Sequence, residues 1–110
     1  MKYTQGDIVE VNFLFPNGGS KPHMAIIVSN DSLQEDDEVM YLVLISSKAY
    51  HPQHCISIDN DMASVSFAKK SYVVCHLIAG YTERDIVRRV GTVKPPFLQE
   101  VIRHIVRSLF

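Results

Sequence analysis

The sequence has few cysteines, no long apolar run and no apolar N-terminal core, and these absences exclude several common protein classes. It holds two cysteines, Cys55 and Cys75, and two thiols do not make a disulfide framework. Its apolar runs all fall well short of the ~18 residues that a membrane-spanning helix needs. Its first residues carry no apolar core of the kind found in signal peptides. We therefore expect a cytoplasmic protein of a reducing compartment, with no membrane segment.

Internal repeats, low-complexity tracts and linkers are also missing. The chain has 110 residues, of which 46% are hydrophobic and 21% are charged, as in an ordinary globular domain. This length excludes solenoids, large cofactor folds and multi-domain enzymes. We predict a single domain over residues 1–110, with a β-rich part at residues 1–93 and a helix at residues 95–109.

The net charge of −1 conceals an uneven distribution along the chain. Residues 1–61 carry a net charge of −6, residues 62–83 carry +1, and residues 84–110 carry +4. Such polarity can mark a surface for nucleic acid or for an acidic partner. The alternative is that the acidic and basic parts neutralise each other once the chain folds.

Short apolar segments separated by turn residues predict five or six strands. Residues 24–29 and 39–46 are apolar on both faces and are therefore predicted to be central strands. Residues 55–58 alternate and predict a short edge strand, whereas residues 35–38 predict an acidic loop. The other predicted strands are residues 8–13, residues 71–78, and residues 86–93 with a bulge at Gly91.

The C-terminal residues predict one amphipathic helix. Pro96 suits a first helical turn, and the apolar residues that follow recur at three- and four-residue spacing. A set of short strands followed by such a helix predicts a mainly β domain, in which the helix packs on a small, strongly curved sheet or barrel. The apolar stripe consists of Phe97, Leu98, Val101, Ile102, Ile105 and Leu109.

Three segments stand in a characteristic order: GDIVEVNFLFPNGGSKPHMAIIVSN from Gly6, YLVLISSK from Tyr41, and SYVVCHLIAGYTERDIVRRVGTVKPPFLQEV from Ser71. In order and spacing they resemble the PemK/MazF toxin family over almost the whole chain. Within them, AIIVS resembles the family's second strand, ISS its Thr-Ser at the end of the third strand, and RRVGTV its C-terminal signature. The ordered set carries the resemblance, rather than any one piece.

The resemblance implies a fold, a function and partners. The fold is the CcdB/MazF type, an SH3-like barrel of five to seven strands with a C-terminal amphipathic helix. The function is that of the toxin of a type II toxin–antitoxin pair, a metal-independent endoribonuclease that cleaves single-stranded RNA and has no cofactor. The implied partners are RNA, a cognate antitoxin and a second copy of the chain in a homodimer.

The sequence departs from the family at one functional position. The family strand begins Arg-Pro-Ala with a catalytic arginine, whereas this chain reads His23-Met24-Ala25. Ser46 stands where the family has its catalytic threonine, and it keeps a hydroxyl. The resemblance therefore implies that His23 and Ser46 are the catalytic residues, with altered or weak activity as the consequence of losing the arginine.

Internal cleavage of RNA needs a group that takes the 2′-hydroxyl proton, a group that protonates the leaving oxygen, and donors that hold the phosphorane. His23 can serve either proton-transfer role, and Ser46 can donate to the phosphate. Histidine contacts phosphate more weakly than arginine, because it is neutral much of the time. The predicted RNA contacts, in a groove between residues 15–21 and 46–54, are Lys21, Ser47, Lys48, His51 and Asn17.

These residues also have a purely structural interpretation. His23 can be a polar residue at a strand entry, and Ser46 and Ser47 can cap backbone groups at a strand end. A catalytically degenerate barrel that binds nucleic acid or an antitoxin without cleavage is therefore an alternative. A CcdB-like poison of a protein target, or an unrelated small barrel used as an interaction domain, would also fit such a sequence.

Two further segments contain histidine in a less specific pattern. HPQHC at residues 51–55 brings two imidazoles and a thiol together, but it lacks the second ligand pair of a structural zinc site. No metal is predicted there. In the apolar strand that follows, Cys75 is predicted to be a buried thiol, and His76 a satisfied or interface histidine.

The basic C-terminal part contains two pairs of arginines. Arg88 and Arg89 point to opposite faces if they lie on a strand, so both cannot line one groove. Arg103 and Arg107 share a helix face, which is either a solvated cationic end or a docking site for an acidic antitoxin tail or nucleic acid. The aromatic side chains available for base stacking include Phe15, Tyr50 and Tyr81.

Overall fold

A computed structural model describes residues 2–110. Within them the chain forms six strands, two α-helices and three single 3₁₀ turns. The strands are β1 (Asp7–Leu14), β2 (Ser20–Ile27), β3 (Met40–Ser46), β4 (Cys55–Ile58), β5 (Ser71–Tyr81) and β6 (Ile86–Thr92). The helices are α1 (Asp31–Asp37) and α2 (Pro95–Leu109), and the 3₁₀ turns are Pro52–His54, Asn60–Met62 and Glu83–Asp85.

The strands form one antiparallel sheet in the order β4-β5-β3-β2-β1-β6. The mainly β architecture, the strand number and the terminal helix confirm the expected fold. The expected barrel, however, is not closed, because β4 and β6 form the two edges of the sheet within the described residues. β4 has only four residues and β6 carries two register shifts. The two edge strands are therefore too short or too irregular to pair with each other along a regular ladder and close the barrel. A single bridge between Ala63 and Val93 joins the segments that follow these edges.

Both faces of the sheet are buried, which explains the continuous apolar runs in the sequence. In β3, Val43 and Ile45 belong to the cluster under α2, whereas Leu42 and Leu44 belong to a second cluster. The buried members of the second cluster are strand residues together with Tyr3, so the curvature of the sheet itself encloses them. The predicted central position of β2 and β3 is confirmed by the strand order.

Helix α2 covers one face of the sheet and has the predicted bounds. Its residues Phe97, Leu98 and Val101 are buried in the same cluster as Ile8 and Val43. Proline in the first turn suits the start of this helix, because the missing N–H has no intrahelical partner there in any case. Neither helix in the described part of the chain combines the length and the apolar character needed to cross a membrane.

The predicted acidic loop at residues 35–38 is wrong, because most of this segment belongs to α1. The side-chain oxygen of Asn30 accepts the N–H of Leu33 at 2.9 Å and so caps the helix. Asp31 in the first turn is favourable beside the helix N-terminus. The helix ends at Glu38, which adopts the left-handed conformation with φ 58°. The local signal was the Asn30 cap, and the run of like charges obscured it.

Strand β2 begins at Ser20, earlier than the predicted start at residue 24. Its first half pairs with β1, with Lys21 opposite Phe13 and His23 opposite Val11. β3 pairs with β2 only from Met24 onward. The first half of β2 therefore has one neighbouring strand and exposed faces, which accept polar residues that a central strand does not.

Part of the charge asymmetry is neutralised inside the fold. Arg88 Nε lies 2.9 Å from a carboxylate oxygen of Glu10, and Arg89 Nε lies 3.0 Å from one of Asp7. Asp7 is buried, so the pairing offsets the cost of removing its charge from water. The neutralising interpretation of the charge distribution therefore holds for these two arginines.

We expect Phe97→Ala to lower the free energy of unfolding by about 3–5 kcal/mol, because it removes a buried ring from the contact between α2 and the sheet. Gln99→Ala, an exposed change on the same helix, should alter it by less than about 0.5 kcal/mol. Denaturant unfolding at a fixed protein concentration measures both. Equal effects of the two substitutions would contradict the described packing of α2.

Candidate functional site

His23 and Ser46 line one groove of about 340 Å³. β2 and β3 pair with Met24 opposite Ile45, and His23 and Ser46 are the next residues along the two strands. His23 and Ser46 thus lie just beyond the end of this ladder. The register thus brings together two residues that are distant in the sequence, at what is here called the His23–Ser46 groove.

Two contacts hold the ring of His23. Its Nδ1 lies 3.2 Å from the carbonyl oxygen of Lys21, and since a carbonyl only accepts, Nδ1 is the donor. The ring of Phe15 packs edge-on at 5.3 Å between centroids, and Phe15 in turn lies 5.7 Å from the buried ring of Phe13. In a neutral imidazole held this way, Nε2 carries the lone pair that a substrate can use.

Ser46 ends β3 and is almost fully buried. Its Oγ accepts the backbone N–H of Lys48 at 3.1 Å, which is the capping role that the sequence also allowed. A hydroxyl has one hydrogen to donate besides the lone pairs that accept. The cap therefore orients Ser46 and leaves its O–H hydrogen available to a ligand.

Lys69 and Ser71 form the opposite wall of the groove. Ser46 pairs with Tyr72 across the β3–β5 ladder, so the start of β5 lies beside the end of β3. The hydroxyl of Ser71 donates to the carbonyl oxygen of Lys69 at 3.0 Å. Sequence reasoning missed both residues, because the only local signal was a pair of lysines ahead of a strand. The predicted position of the groove, between residues 15–21 and 46–54, is therefore only partly correct. Ser46 and Ser47 line the groove, but no residue of 15–21 is among its lining residues.

Three of the predicted RNA contacts border the groove. Ser47 lines it directly. Lys21 and Lys48 are exposed, and their backbone groups hold its central side chains: the carbonyl of Lys21 accepts from His23, and the N–H of Lys48 donates to Ser46. The backbone of these two lysines therefore lies at the border of the groove, and their side chains extend from there.

Asn17 and His51 are not among the residues that line the groove. Asn17 shapes the β1–β2 turn, since its side-chain oxygen accepts the N–H of Gly19 at 2.9 Å, next to Gly18 with φ 92°. His51 adopts a left-handed φ of 53°, and its ring lies 5.5 Å from that of His76. The fold places Asn17 in a turn and His51 in a separate group of imidazoles.

His51, His54 and His76 form a histidine cluster. The rings of His54 and His76 have centroids 5.2 Å apart, and Nδ1 of His76 is buried with no hydrogen-bond partner in residues 2–110. This atom is therefore not satisfied within the described chain, and the interface alternative predicted for His76 stays a prediction. Partial burial lowers the pKa of His76, and the neighbouring His54 and His51 lower it further. Among the described residues, no three His, Cys, Asp or Glu side chains are arranged to hold a metal ion.

Neither thiol is suited to nucleophilic chemistry. Cys75 is fully buried, and burial, followed by the proximity of Cys55, raises the pKa of Cys75 to about 12. Burial also raises the pKa of Cys55, whose S–H donates to the carbonyl oxygen of Tyr50 at 3.2 Å. The thiolate is the reactive form, and both environments disfavour it. The predicted buried thiol at Cys75 is confirmed.

Two larger concave regions are less suited to a polyanion. A region of about 850 Å³ contains Glu35, Glu38 and Glu83, which outnumber its two cations. A region of about 530 Å³ contains Asp59 and Asp61, which balance its Lys69 and Lys70. Carboxylates repel phosphate, whereas the described residues that line the His23–Ser46 groove include no carboxylate. The smaller groove is therefore the candidate site.

The comparison with known families agrees with this architecture. The family described as PemK-like, MazF-like toxin of type II toxin-antitoxin system matches residues 4–109. Since the match spans nearly the whole chain, the chain belongs to this family of toxins. No curated protein matches it.

Several solved structures share the fold. MazF (Form-I) from Deinococcus radiodurans superposes with a TM-score of 0.77 at 15% identity, over 99% of this chain and 97% of that chain. An endoribonuclease in complex with its cognate antitoxin, from Mycobacterial species, has a TM-score of 0.75 at 13% identity, over 97% of this chain and 94% of that chain. The Mycobacterium tuberculosis toxin MazF-mt6 has a TM-score of 0.72 at 12% identity, over 93% and 94%. At such identities the likeness establishes the fold, which is the expected MazF-like one.

We expect the histidine cluster to make stability depend on pH. The pKa of His76 is lower in the folded state than its ordinary value near 6.5. Below about pH 6.5, the unfolded chain therefore binds a proton at His76 more readily than the folded chain does. Unfolding free energy should therefore fall as the pH drops through about 6.5, and His76→Gln should flatten this slope. Urea titrations from pH 8 to pH 5 at a fixed protein concentration measure both curves. Parallel curves for the two proteins would contradict a destabilising protonation at this site.

Proposed function

We propose that this chain is the toxin of a type II toxin–antitoxin system and acts as an endoribonuclease that cleaves single-stranded RNA without a metal ion. The observation that carries the proposal is the presence of His23 and Ser46 in one groove whose described lining has no carboxylate. These are the two positions at which the family resemblance implies catalysis. A protein of the same fold crystallised as an endoribonuclease with its cognate antitoxin adds support.

The proposed reaction is attack by the 2′-oxygen on the adjacent phosphorus. Nε2 of His23 takes the proton of the 2′-hydroxyl, and the hydroxyl of Ser46 donates to a non-bridging oxygen as charge develops there. The bond between phosphorus and the 5′-oxygen breaks, and solvent water protonates the leaving oxygen. The products are a 2′,3′-cyclic phosphate and a 5′-hydroxyl end.

The remaining proposed RNA contacts serve the nucleotides around the cleaved bond. Single-stranded RNA is bound by cationic side chains along its backbone and by aromatic rings against its bases. Phe15, which already packs on His23, is the nearest ring for such stacking. The proposed contacts are Lys21, Ser47, Lys48, His51 and Asn17.

We also propose a homodimer, a cognate antitoxin and a cytoplasmic location. A groove of about 340 Å³ is short for a strand of several nucleotides, and a second copy of the chain would extend it. Arg103 and Arg107 are exposed on α2 and form no ion pair within residues 2–110, which suits an acidic antitoxin segment. The free thiols of Cys55 and Cys75 suit a reducing compartment.

The purified protein should cleave a single-stranded oligoribonucleotide. His23→Ala should lower kcat/KM by about 100-fold or more, as for the loss of a general base, and Ser46→Ala by about 100-fold, as for the loss of an oxyanion donor. Ser57→Ala, at an exposed serine of β4, is the matched control and should leave the rate unchanged. A 2′-deoxy substitution at the cleaved nucleotide should abolish cleavage, because it removes the attacking oxygen.

Cleavage should persist at full rate in EDTA, because every proposed catalytic group is a side chain. A time course of oligoribonucleotide cleavage with and without the chelator measures this. A rate that falls to the background in EDTA and returns with added magnesium would contradict the metal-free mechanism.

The same variants distinguish the candidate functions in cells. Induced expression should stop growth and degrade messenger RNA, and His23→Ala should restore both. Growth arrest with intact messenger RNA would instead favour a CcdB-like poison of a protein target. RNA binding without cleavage would favour a degenerate binding module, for which the histidine in place of the family arginine is the supporting observation.

A further inference from the structure

Lys69 is the one lysine or arginine among the described residues that line the His23–Ser46 groove. The other lining side chains are apolar, hydroxyl-bearing or imidazole. A pentacoordinate phosphorane carries more negative charge than the RNA phosphate, and a fixed cation stabilises it more than a hydroxyl dipole alone. Lys69 is therefore the lining side chain placed to supply such a cation.

We propose that Lys69 is a catalytic residue of this groove, whose ammonium group binds the scissile phosphate and stabilises the charge that develops on it. In this role Lys69 supplies the positive charge that the family arginine provides and His23 lacks. The inference rests on the RNA-cleaving function proposed above.

The ammonium group of Lys69 is available to a ligand. The residue is exposed, and the ion pairs of the described chain involve Arg88 and Arg89 instead. Its backbone is held in place, because the hydroxyl of the nearly buried Ser71 donates to its carbonyl oxygen at 3.0 Å. A fixed backbone with a free side-chain head lets the ammonium reach a phosphate without disturbing the sheet.

Lys70 supplies a matched comparison within the same sequence. Its Nζ lies 5.8 Å from the centroid of the Tyr72 ring. Both lysines line the neighbouring concave region that contains Asp59 and Asp61. Unlike Lys69, Lys70 does not line the His23–Ser46 groove. We therefore expect general attraction to RNA to involve both lysines, and contact with the scissile phosphate to involve Lys69 alone.

The direct test compares kcat/KM of the full-length protein and its variants on a single-stranded oligoribonucleotide. Lys69→Met should lose about 10- to 100-fold, the effect of removing a hydrogen bond to a charged group. Lys70→Met and Lys69→Arg should each stay within about threefold of the wild type, since the first leaves the groove intact and the second keeps its charge. Thermal unfolding midpoints that match the wild type exclude misfolding as the cause.

Binding gives a second readout that does not need turnover. A non-cleavable oligoribonucleotide with 2′-deoxy at the cleaved position is titrated over a range of salt concentrations. Losing one phosphate contact on a single strand should reduce the slope of log K against log salt by about 0.7. We expect this reduction for Lys69→Met, and a smaller one for Lys70→Met.

The compensating role is tested by restoring the family residue. In a His23→Arg background the guanidinium supplies a fixed cation, so Lys69→Met should weaken binding of the 2′-deoxy analogue several-fold less than it does in the wild-type background. Equal losses in the two backgrounds would overturn the compensating role.

The outcomes separate this inference from the function on which it rests. A wild type that cleaves RNA, with Lys69→Met equal to Lys70→Met in rate and salt slope, would overturn the assignment of Lys69 and leave the ribonuclease intact. A wild type that neither cleaves nor binds the oligoribonucleotide would overturn both.

Discussion

The register between β2 and β3 is the constraint on which the candidate site depends. Along β2 the residues change from polar to apolar at His23 and Met24, and along β3 they change back at Ser46. The ladder aligns these two boundaries by pairing Met24 with Ile45. A one-residue shift would draw His23 or Ser46 into the buried ladder, where an unpaired polar group is costly. The apolar core therefore fixes the geometry of the polar groove at its end.

Charge at the groove is a local property that the net charge conceals. Two arginines of the basic C-terminal part are paired with Asp7 and Glu10 on β1, so part of the positive charge is balanced locally at this edge of the sheet. The carboxylates of α1 line a different concave region. The described lining of the His23–Ser46 groove has no carboxylate and one lysine. A chain with a net charge of −1 can thus still present a site suited to phosphate.

Local patterns predicted most of the fold. The periodicity of residues 95–109 gave the bounds of α2, and residues 55–58 gave those of β4, because each pattern reports burial of one face. The wrong predictions have two causes. Either the overall composition of a segment concealed a local signal, or the feature depends on pairing between distant residues. The Asn30 cap was hidden in an acidic run. The open edges between β4 and β6 depend on bulges and on how far the sheet curls, which no short segment reports.

The sequence by itself determined most of the strands, the terminal helix and the family, since these are read from periodicity and from ordered local motifs. It also singled out His23 and Ser46 as candidates. Tertiary structure alone decided that these two residues share a groove and that Lys69 lines it with them. It also placed His51 with His76 instead of in that groove. The physical reason is that strand register and sheet curvature set distances between residues far apart in the chain, and both result from packing of the whole core.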